Sequence, residues 1–354
     1  MSEKKSGFLG SLFSALSGSK PAEATPAVAE DFVDLSQAAP PQVDAVATTP
    51  SATEHPTAAA EAPAAEAPAE ADAPAAEEVI AEEAAPAPAK AKKVPPAEPA
   101  PLTMRDKTIA LISGKGGVGR TSTVLSLAGA AAKRGKRVLI IDFDPQSSLT
   151  LATLDSTPDY TVDEVFQRTD IADVVTRVEW DAFADLVDIA AGTRDLVDYD
   201  NAVHPHQFEL AFSRRFDSLP EYDVVLVEAP PSLASLATIA VAIAKTTVVV
   251  AEPKLYSVRG AIEAVDFAEK VAADRELEST VRVLVNKVTD STEARFRHKE
   301  LRDTFGKRIL KTHVDQTEVI EEANGAGVPV HAMPGTAARE VAATFNALLD
   351  ELLP

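Results

Sequence analysis

The stretch that decides the fold is Thr108-Ile-Ala-Leu-Ile-Ser-Gly-Lys-Gly-Gly-Val-Gly-Arg-Thr-Ser122. It joins a continuous apolar run, typical of a strand buried on both faces, to a glycine-rich turn and then to a helical pattern. From Gly114 to Thr121 the turn fits the P-loop pattern Gly-x-x-x-x-Gly-x-Thr, in the strand-to-helix context that the pattern requires. Glycines there let backbone N–H groups face phosphates, beside the positive end of the helix dipole. The stretch favours a nucleotide site over a glycine-rich turn without a ligand.

Beyond this loop, short apolar runs alternate with stretches of helical periodicity. Further strands are predicted at Val138–Ile141, Val224–Val227, Thr247–Ala251 and Val281–Val285, with a weaker one at Leu186–Ala190. Helices are predicted at Thr121–Lys133, Ser232–Ala244, Ser257–Ala273, Glu293–Thr304 and near Ala337–Leu353. This alternation indicates the α/β class, with a doubly wound, mostly parallel sheet flanked by helices. Ligand-binding residues are then expected at the carboxyl ends of the strands.

The first 103 residues differ in composition from the rest of the 354-residue chain. They contain 15 of the 25 prolines and 16 acidic against 6 basic residues, and they consist mainly of Ala, Pro and Glu. Such a segment buries too little apolar surface to offset the entropy of ordering it. We therefore expect a disordered acidic tail over residues 1–103 and one nucleotide-binding domain over residues 104–354, long enough for a full core.

Residues 7–17 interrupt the tail with the sequence Gly7-Phe-Leu-Gly-Ser-Leu-Phe-Ser-Ala-Leu-Ser17. On a helix, their five large apolar side chains would share one face. Two interpretations stay open. The segment is either a short amphipathic contact with a membrane or partner, or a few apolar residues in a flexible end.

Composition also excludes several classes of protein. The chain contains no cysteine, which excludes a disulfide scaffold, a thiolate zinc site and a cysteine nucleophile. The net charge of −21 disfavours binding to nucleic acid through bulk charge. No apolar run reaches the roughly 18 residues of a membrane span, and the N-terminus lacks the long apolar region of a signal peptide. We expect a cytoplasmic protein, with association to the nucleoid or a membrane left open.

Four segments carry a resemblance to one family. They are Lys115-Gly-Gly-Val-Gly-Arg-Thr121, Lys136-Arg-Val-Leu-Ile-Ile-Asp-Phe-Asp-Pro-Gln146, Tyr222-Asp-Val-Val-Leu-Val-Glu-Ala-Pro-Pro-Ser232 and the run from Val314 to Val330. With the early lysine of a deviant Walker A loop, they resemble the ParA/MinD family of P-loop ATPases, in particular the ParA-like partitioning and positioning ATPases. The resemblance covers nearly all of residues 105–354. It implies ATP and Mg²⁺ as ligands and a homodimer as the ATP-bound state.

The resemblance also assigns roles to individual residues. The implied nucleotide contacts are Gly114, Lys115, Gly116, Gly117, Val118, Gly119, Arg120, Thr121, Ser122 and Asn286. In the family the early lysine, here Lys115, reaches the nucleotide of the partner protomer, so it is a candidate catalytic residue. Asp144 is the other, because a carboxylate there would orient or activate the attacking water. Thr121, Asp142 and Glu228 are the implied Mg²⁺ residues. For Asp142 and Asp144, turn formation is the alternative.

Three positions depart from the family pattern. Arg120 stands where an ordinary P-loop has lysine, Glu228 stands where the family usually has aspartate, and Gln316 replaces a family arginine. Arginine keeps the charge but replaces a compact ammonium with a planar fork. The run Asn286-Lys-Val-Thr-Asp290 is similar to a guanine-reading motif, but its spacing is one residue too long, which favours ATP.

The most basic stretch of the chain is Arg295–Lys311, with seven Lys or Arg residues against two acidic ones. Because ParA proteins that associate with the chromosome bind DNA non-specifically, this stretch is a candidate DNA-binding surface. Its candidate contacts are Arg295, Arg297, Lys299 and Arg302. The alternative is a solvated helix face whose charge is balanced by acidic neighbours.

The sequence therefore predicts an ATP-dependent dimerising switch of the ParA/MinD type. It would hydrolyse ATP slowly, stimulated by a partner protein, to position a chromosome region, a division-related structure or another large cargo. Two alternatives remain: a nucleotide-binding scaffold that does not hydrolyse ATP, and a membrane-tethered regulator that uses residues 7–17.

Overall fold

The structure, a computed structural model, describes residues 102–353 except 184, 203, 204 and 220. The predicted tail over residues 1–103 lies outside this range apart from its last two residues. The predicted amphipathic segment at residues 7–17 also lies outside the described residues.

The strands of the described residues form one seven-stranded sheet. They are β1 Thr108–Ile112, β2 Val138–Asp142, β3 Val175–Arg177, β4 Val187–Ala190, β5 Val224–Glu228, β6 Thr246–Ala251 and β7 Thr280–Val285. Their order across the sheet is β3-β4-β2-β5-β1-β6-β7. Every pairing is parallel except that of β3 with β4. Strands β1, β2 and β5 are buried along their whole length, which explains their continuous apolar sequences.

Helices cover both faces of the sheet. They are α1 Arg120–Lys133, α2 Ser148–Thr153, α3 Leu196–Asp200, α4 Pro205–Phe216, α5 Ser235–Ile243, α6 Leu255–Asp274, α7 Thr292–Phe305, α8 Glu318–Gly325 and α9 Thr336–Leu352. Short 3₁₀ turns lie at Arg105–Lys107, Val162–Gln167, Ile171–Val174, Asp181–Phe183, Gly306–Arg308 and Val330–Ala332. None of the described helices is long and apolar enough to span a bilayer. The predicted α/β class is confirmed.

Two hydrophobic cores lie on opposite faces of the sheet. Leu111 of β1 packs in the core that contains Leu125 of α1 and Phe345 of α9. The next residue, Ile112, belongs to the core on the other face, formed with α5 and α6. Successive strand side chains point to opposite faces, so β1 contributes to both cores. Each fully buried side chain of this size contributes about 1.5–3 kcal/mol, and this packing holds the strand that leads into the glycine-rich loop.

The structure differs from the prediction mainly in short elements. Strand β3 and the helices α2, α3, α4 and α8 were not predicted from the sequence. Three of them, β3, α2 and α3, have only three to six residues, which are too few to display a period. The helix predicted to start at Ser232 begins instead at Ser235. Asp200, at the end of α3, accepts hydrogen bonds from the Ser232 hydroxyl and from the backbone N–H of Leu236. This contact from another helix holds the start of α5 in place of a local cap.

Candidate functional site

The carboxyl ends of three neighbouring strands meet beneath the glycine-rich loop. β1 continues into the loop at Ser113, β2 ends at Asp142, and β5 ends at Glu228. Because β5 lies between β1 and β2, Asp142 and Glu228 are direct register partners. The parallel sheet thus brings together three sequence motifs that are far apart along the chain.

The loop itself has the backbone of an anion cradle. Gly117 and Gly119 have φ angles of 79° and 90°, a region that L side chains rarely adopt. A Cβ atom added at Gly116 or Gly117 would meet no other atom within 4 Å, so this part of the backbone borders open space. Helix α1 starts directly afterwards with Gly119 as its N-cap and no side-chain cap. Its first N–H groups and its dipole are therefore directed at the loop.

Lys115 combines a fixed backbone with an exposed side chain. Its carbonyl oxygen accepts hydrogen bonds from the Ser113 hydroxyl at 2.8 Å and from Nη1 of Arg120 at 3.3 Å. The side chain itself is on the surface of the molecule, as a contact with a second protomer requires.

Arg120, in contrast, is buried, with 6% of its surface exposed. Its Nη1 donates to the Ser113 hydroxyl as well as to the loop carbonyl. Its Nη2 donates to Oδ2 of Asp144 at 3.2 Å, and its Nε lies 3.8 Å from Oε1 of Glu228. The guanidinium therefore links the loop to two of the predicted site carboxylates.

Asp142 is fully buried and held by three hydrogen bonds. Thr150 donates to its Oδ2 from both the backbone N–H, at 2.9 Å, and the hydroxyl, at 2.7 Å. The N–H of Asp144 donates to Oδ1 at 3.1 Å. Burial raises the pKa of Asp142 to about 6, although these hydrogen bonds oppose the shift. In this geometry Asp142 orders the turn that follows β2, which is the turn-forming alternative considered above.

Thr121 and Glu228, two of the residues implied for Mg²⁺, are hydrogen-bonded to each other. The Thr121 hydroxyl donates to Oε1 of Glu228 at 2.8 Å, while Oε2 of Glu228 is buried without a hydrogen-bond partner. Burial and the neighbouring Asp142 carboxylate raise the pKa of Glu228 to about 8. An unsatisfied buried carboxylate oxygen beside a hydroxyl fits a hard cation. The described residues contain no group of three His, Asp or Glu side chains arranged to hold a metal, so these two oxygens would need further ligands.

Asp144 lies between the loop and the turn after β2. It is 7% exposed, and it accepts hydrogen bonds from Arg120 and from the backbone N–H of Gln146. These contacts orient the carboxylate, and the guanidinium partly neutralises its charge.

Asn286 follows β7 and contacts the loop. Its Nδ2 donates to the carbonyl oxygen of Val118 at 2.8 Å. A small cavity of about 20 Å³ lies next to it, lined also by Ser122, Lys287 and Gln316. The amide holds the loop against β7, and a cavity of this size has room for about one water molecule.

The predicted DNA surface lies on α7, where acidic neighbours pair with three of its four residues. Lys299 contacts Asp303 at 2.6 Å, and Arg297 contacts Glu300 at 2.8 Å. Arg295 donates to the carbonyl oxygen of Asp290 at 2.7 Å and lies 3.8 Å from its carboxylate. Nη2 of Arg302 lies 3.3 Å from a ring nitrogen of His298. Much of the positive charge counted from the sequence is therefore balanced locally.

Thr150, Gly192, Lys287 and Gly260 contact the site but were not predicted from the sequence. Thr150 holds Asp142, and its hydroxyl in turn accepts from the N–H of Gly192 at 2.8 Å. Lys287 donates to the carbonyl oxygen of Gly117 at 2.8 Å. Gly260 of α6 packs against Gly114. Only Thr150, close behind the Asp142–Asp144 motif, carried a local signal, because the other contacts join distant segments.

A mostly parallel sheet with a glycine-rich phosphate-binding loop between β1 and α1 defines the class of P-loop nucleotide-binding proteins. Residues 106–282 match a family described as an AAA domain. The chromosome-partitioning ATPase Soj of Thermus thermophilus is 31% identical over 230 residues, which cover 64% of this chain and 88% of Soj. A ParA family protein of Chlamydia muridarum is 31% identical over 255 residues, 70% of this chain and 97% of the relative.

The solved structures agree on the fold. Apo McdA of Cyanothece has a TM-score of 0.62 at 18% identity and covers 70% of this chain and 99% of McdA. A putative plasmid partition protein of Borrelia burgdorferi, bound to AMPPNP, has a TM-score of 0.56 at 16% identity and covers 70% of this chain and 99% of that protein. This chain belongs to the ParA family of P-loop ATPases, as its sequence motifs predicted.

Proposed function

We propose that this protein is an ATP-dependent dimerising switch that hydrolyses ATP slowly and positions a large cargo, such as a chromosome region or a division-related structure. The observation that carries the proposal is the contrast between the two cations of the loop. Arg120 is buried among the site carboxylates, whereas the Lys115 side chain is exposed beside open loop backbone. A cation exposed at that position can serve a second protomer's nucleotide, and so it makes nucleotide occupancy a condition for dimerisation.

ATP with Mg²⁺ is the ligand in this proposal. Relatives solved with ATP or AMPPNP include Cyanothece McdA and the Borrelia burgdorferi partition protein. The backbone from Gly114 to Gly119 and the start of α1 would bind the phosphates, and Thr121 with Glu228 would hold the ion. The ion would neutralise charge on the phosphates. The residues of the chain bind and orient the ligand around it.

Asp144 is the proposed catalytic carboxylate. It lies at the loop in a buried position, where a carboxylate can orient an attacking water. Its pairing with Arg120 at 3.2 Å limits its freedom to do so, which favours a slow basal rate that a partner protein stimulates.

The second candidate function is a nucleotide-binding scaffold that does not hydrolyse ATP. It is favoured by the same Arg120 contacts with Asp144 and Glu228. In that case the guanidinium would keep both carboxylates engaged when nucleotide is bound.

Phosphate release separates the two candidates. Full-length protein with ATP and Mg²⁺ is assayed alone, with non-specific duplex DNA, and with a lysate fraction of the source cells. Slow release that is stimulated by an added component and lost in Asp144→Ala supports the switch. Equal silence of the wild type and of Asp144→Ala under all conditions removes the ATPase part and leaves the scaffold.

In this proposal residues 104–354 form the ATPase domain. The switch binds DNA through Arg295, Arg297, Lys299 and Arg302 of α7. Membrane contact through residues 7–17 is the competing surface. Liposome sedimentation of the full-length protein against a variant that starts at Met104 separates them. Stronger pelleting of the full-length protein supports the membrane, whereas equal pelleting removes it.

A further inference from the structure

Arg120 differs from an ordinary P-loop lysine in what it can contact at one time. Two of the three guanidinium nitrogens donate hydrogen bonds to protein groups. Nη1 donates to the Ser113 hydroxyl and the Lys115 carbonyl, and Nη2 donates to Asp144. Nε lies 3.8 Å from Oε1 of Glu228 and has no hydrogen-bond partner. A lysine has one nitrogen and cannot span these groups together, whereas the arginine fork can. The substitution therefore creates a bridge that the usual residue would not form.

The bridge supplies positive charge next to the buried carboxylate of Asp144. Asp142, Asp144 and Glu228 are all buried, and buried carboxylates without a counter-charge are strongly unfavourable. Among the described residues, Arg120 is the one cation in ion-pair contact with Asp144 or Glu228. Arg120 is thus the counter-ion of Asp144 in this structure.

A nucleotide phosphate in the loop would compete for the same guanidinium. The phosphate oxygens carry more charge than a carboxylate, and arginine binds them in the same bidentate manner. A cation at Glu228 would at the same time replace the charge that Arg120 provides there. Contacts with phosphates would draw guanidinium N–H groups away from Asp144 and Glu228, because the same N–H groups of the planar fork cannot donate to both sets of anions in full.

We propose that Arg120 is a positioning residue that holds Asp144 in the nucleotide-free site and releases it when ATP is bound. The inference rests on the proposed function, and it names how nucleotide occupancy is coupled to the water-orienting carboxylate of that same site. Arg120 exchanges one set of anions, Asp144 and Glu228, for another, the phosphates. Asp144 is then free to act only when a nucleotide occupies the loop.

The test is a double-mutant cycle on the stability of the full-length protein. Urea unfolding is measured for the wild type, Arg120→Gln, Asp144→Asn and the double variant, first without nucleotide and then with saturating AMPPNP and Mg²⁺. We expect the unfolding equilibrium constant to show non-additivity of about tenfold without nucleotide, falling to about twofold or less with AMPPNP. A merely structural ion pair would keep the same coupling in both conditions, and that result would overturn the proposal.

The matched control is the exposed pair of Arg134 and Asp350, which lie 2.6 Å apart away from the site. The cycle of Arg134→Gln and Asp350→Asn should show little coupling and no response to AMPPNP. If Arg120→Gln does not fold, Arg120→Lys takes its place, with a smaller coupling of about threefold expected because the ammonium still neutralises one carboxylate.

A second readout is the affinity for AMPPNP with Mg²⁺. Asp144→Asn should tighten binding by about tenfold when Arg120 is present and by about threefold or less in the Arg120→Lys background, since the ammonium has fewer contacts to release than the guanidinium. Equal tightening in both backgrounds would reflect simple charge repulsion and would overturn the proposal. Coupling relieved by nucleotide in a protein that never releases phosphate would sustain this inference while removing the proposed ATPase function.

Discussion

Gly114 and Gly260 lie so close that neither position has room for a side chain. A Cβ atom added at Gly114 would lie 2.3 Å from the carbonyl oxygen of Gly260, and one added at Gly260 would lie 2.9 Å from the carbonyl oxygen of Gly114. The first residue of the P-loop is thus in backbone contact with the second turn of α6. The shape of the nucleotide loop depends on a helix that begins more than a hundred residues later in the chain.

We expect Gly260→Ala to weaken nucleotide binding by about tenfold or more. The added methyl group must displace the loop backbone or α6, and overpacking of this kind costs about 1–3 kcal/mol. Titration with a fluorescent ATP analogue measures the effect. Gly325→Ala in α8, where a Cβ atom would meet nothing within 4 Å, is the matched control and should bind as the wild type does. Equal affinities of the two variants would contradict the close approach.

Lys115→Ala should abolish ATP-dependent dimerisation far more than it weakens ATP binding. The exposed side chain is proposed to serve the partner's phosphates, and loss of one charge-assisted contact costs about 1.5–3 kcal/mol, or roughly tenfold to a hundredfold in the dimer dissociation constant. Light scattering with ATP and Mg²⁺ measures the dimer. Lys133→Ala removes another exposed lysine, at the far end of α1, and should leave the dimer intact. A full dimer in Lys115→Ala would refute the assignment.

Thr150→Val should destabilise the nucleotide-free protein by about 1–3 kcal/mol. It removes the hydroxyl that donates to the buried Asp142 and leaves the N–H of Gly192 without its acceptor. Urea unfolding gives the free energy. Thr153→Val is a close control, since that hydroxyl donates only to helix carbonyl oxygens. If both variants lose the same stability, Thr150 has no special role at the site.

Charge reversal on α7 tests the proposed DNA surface. Arg295→Glu with Lys299→Glu should weaken binding to non-specific duplex DNA and lower the slope of log K against log salt by up to about 2, since each phosphate contact contributes about 0.9. Because Arg295 and Lys299 already pair with Asp290 and Asp303, we expect the slope to fall by less than about 2. Lys133→Glu with Lys270→Glu carries the same change of net charge on other helices. An equal loss in that control would mean that only net charge matters.

Glu351 should contribute stability that is lost in acid. Burial alone would raise the pKa of Glu351, but hydrogen bonds from Thr312 and from the backbone N–H of Lys311 outweigh it and lower the pKa below its ordinary value. The contribution is therefore full above the unfolded pKa of about 4.3 and disappears as the pH falls through the folded pKa. Urea unfolding of the wild type and of Glu351→Gln should differ at pH 7 and converge toward pH 3. A constant difference, or one shared by the exposed Glu340→Gln, would contradict this.

The central part of the fold could be predicted from sequence because its signals are local. Strands β1, β2 and β5 are buried on both faces, so each is a continuous apolar run. Strand β3 was missed because it is three residues long, lies at the edge of the sheet and contains Thr176 and Arg177. The start of α5 was misplaced because Asp200, a residue of another helix, caps it.

The candidate site divides in the same way. The glycine spacing and the positions of Asp142, Asp144 and Glu228 at strand ends were readable in the sequence. The use of each side chain was not. Asp142 accepts a hydrogen bond from Thr150, and Asn286 donates one to the loop carbonyl of Val118. Neither contact is marked by a sequence pattern. The net charge of the basic stretch was counted correctly, but its pairing on α7 depended on which acidic residues are its neighbours on the helix surface.

By itself, the sequence determined the α/β class, the P-loop and the family, because apolar runs and glycine spacing are constraints on the local backbone. Only the tertiary structure decided the electrostatic state of the site. Arg120, Asp144 and Glu228 come from three segments, and whether a guanidinium faces a phosphate or a carboxylate depends on distances of 3–4 Å across the sheet edge. Coulomb energy and desolvation change steeply over such distances. The order of residues along the chain does not reveal these distances.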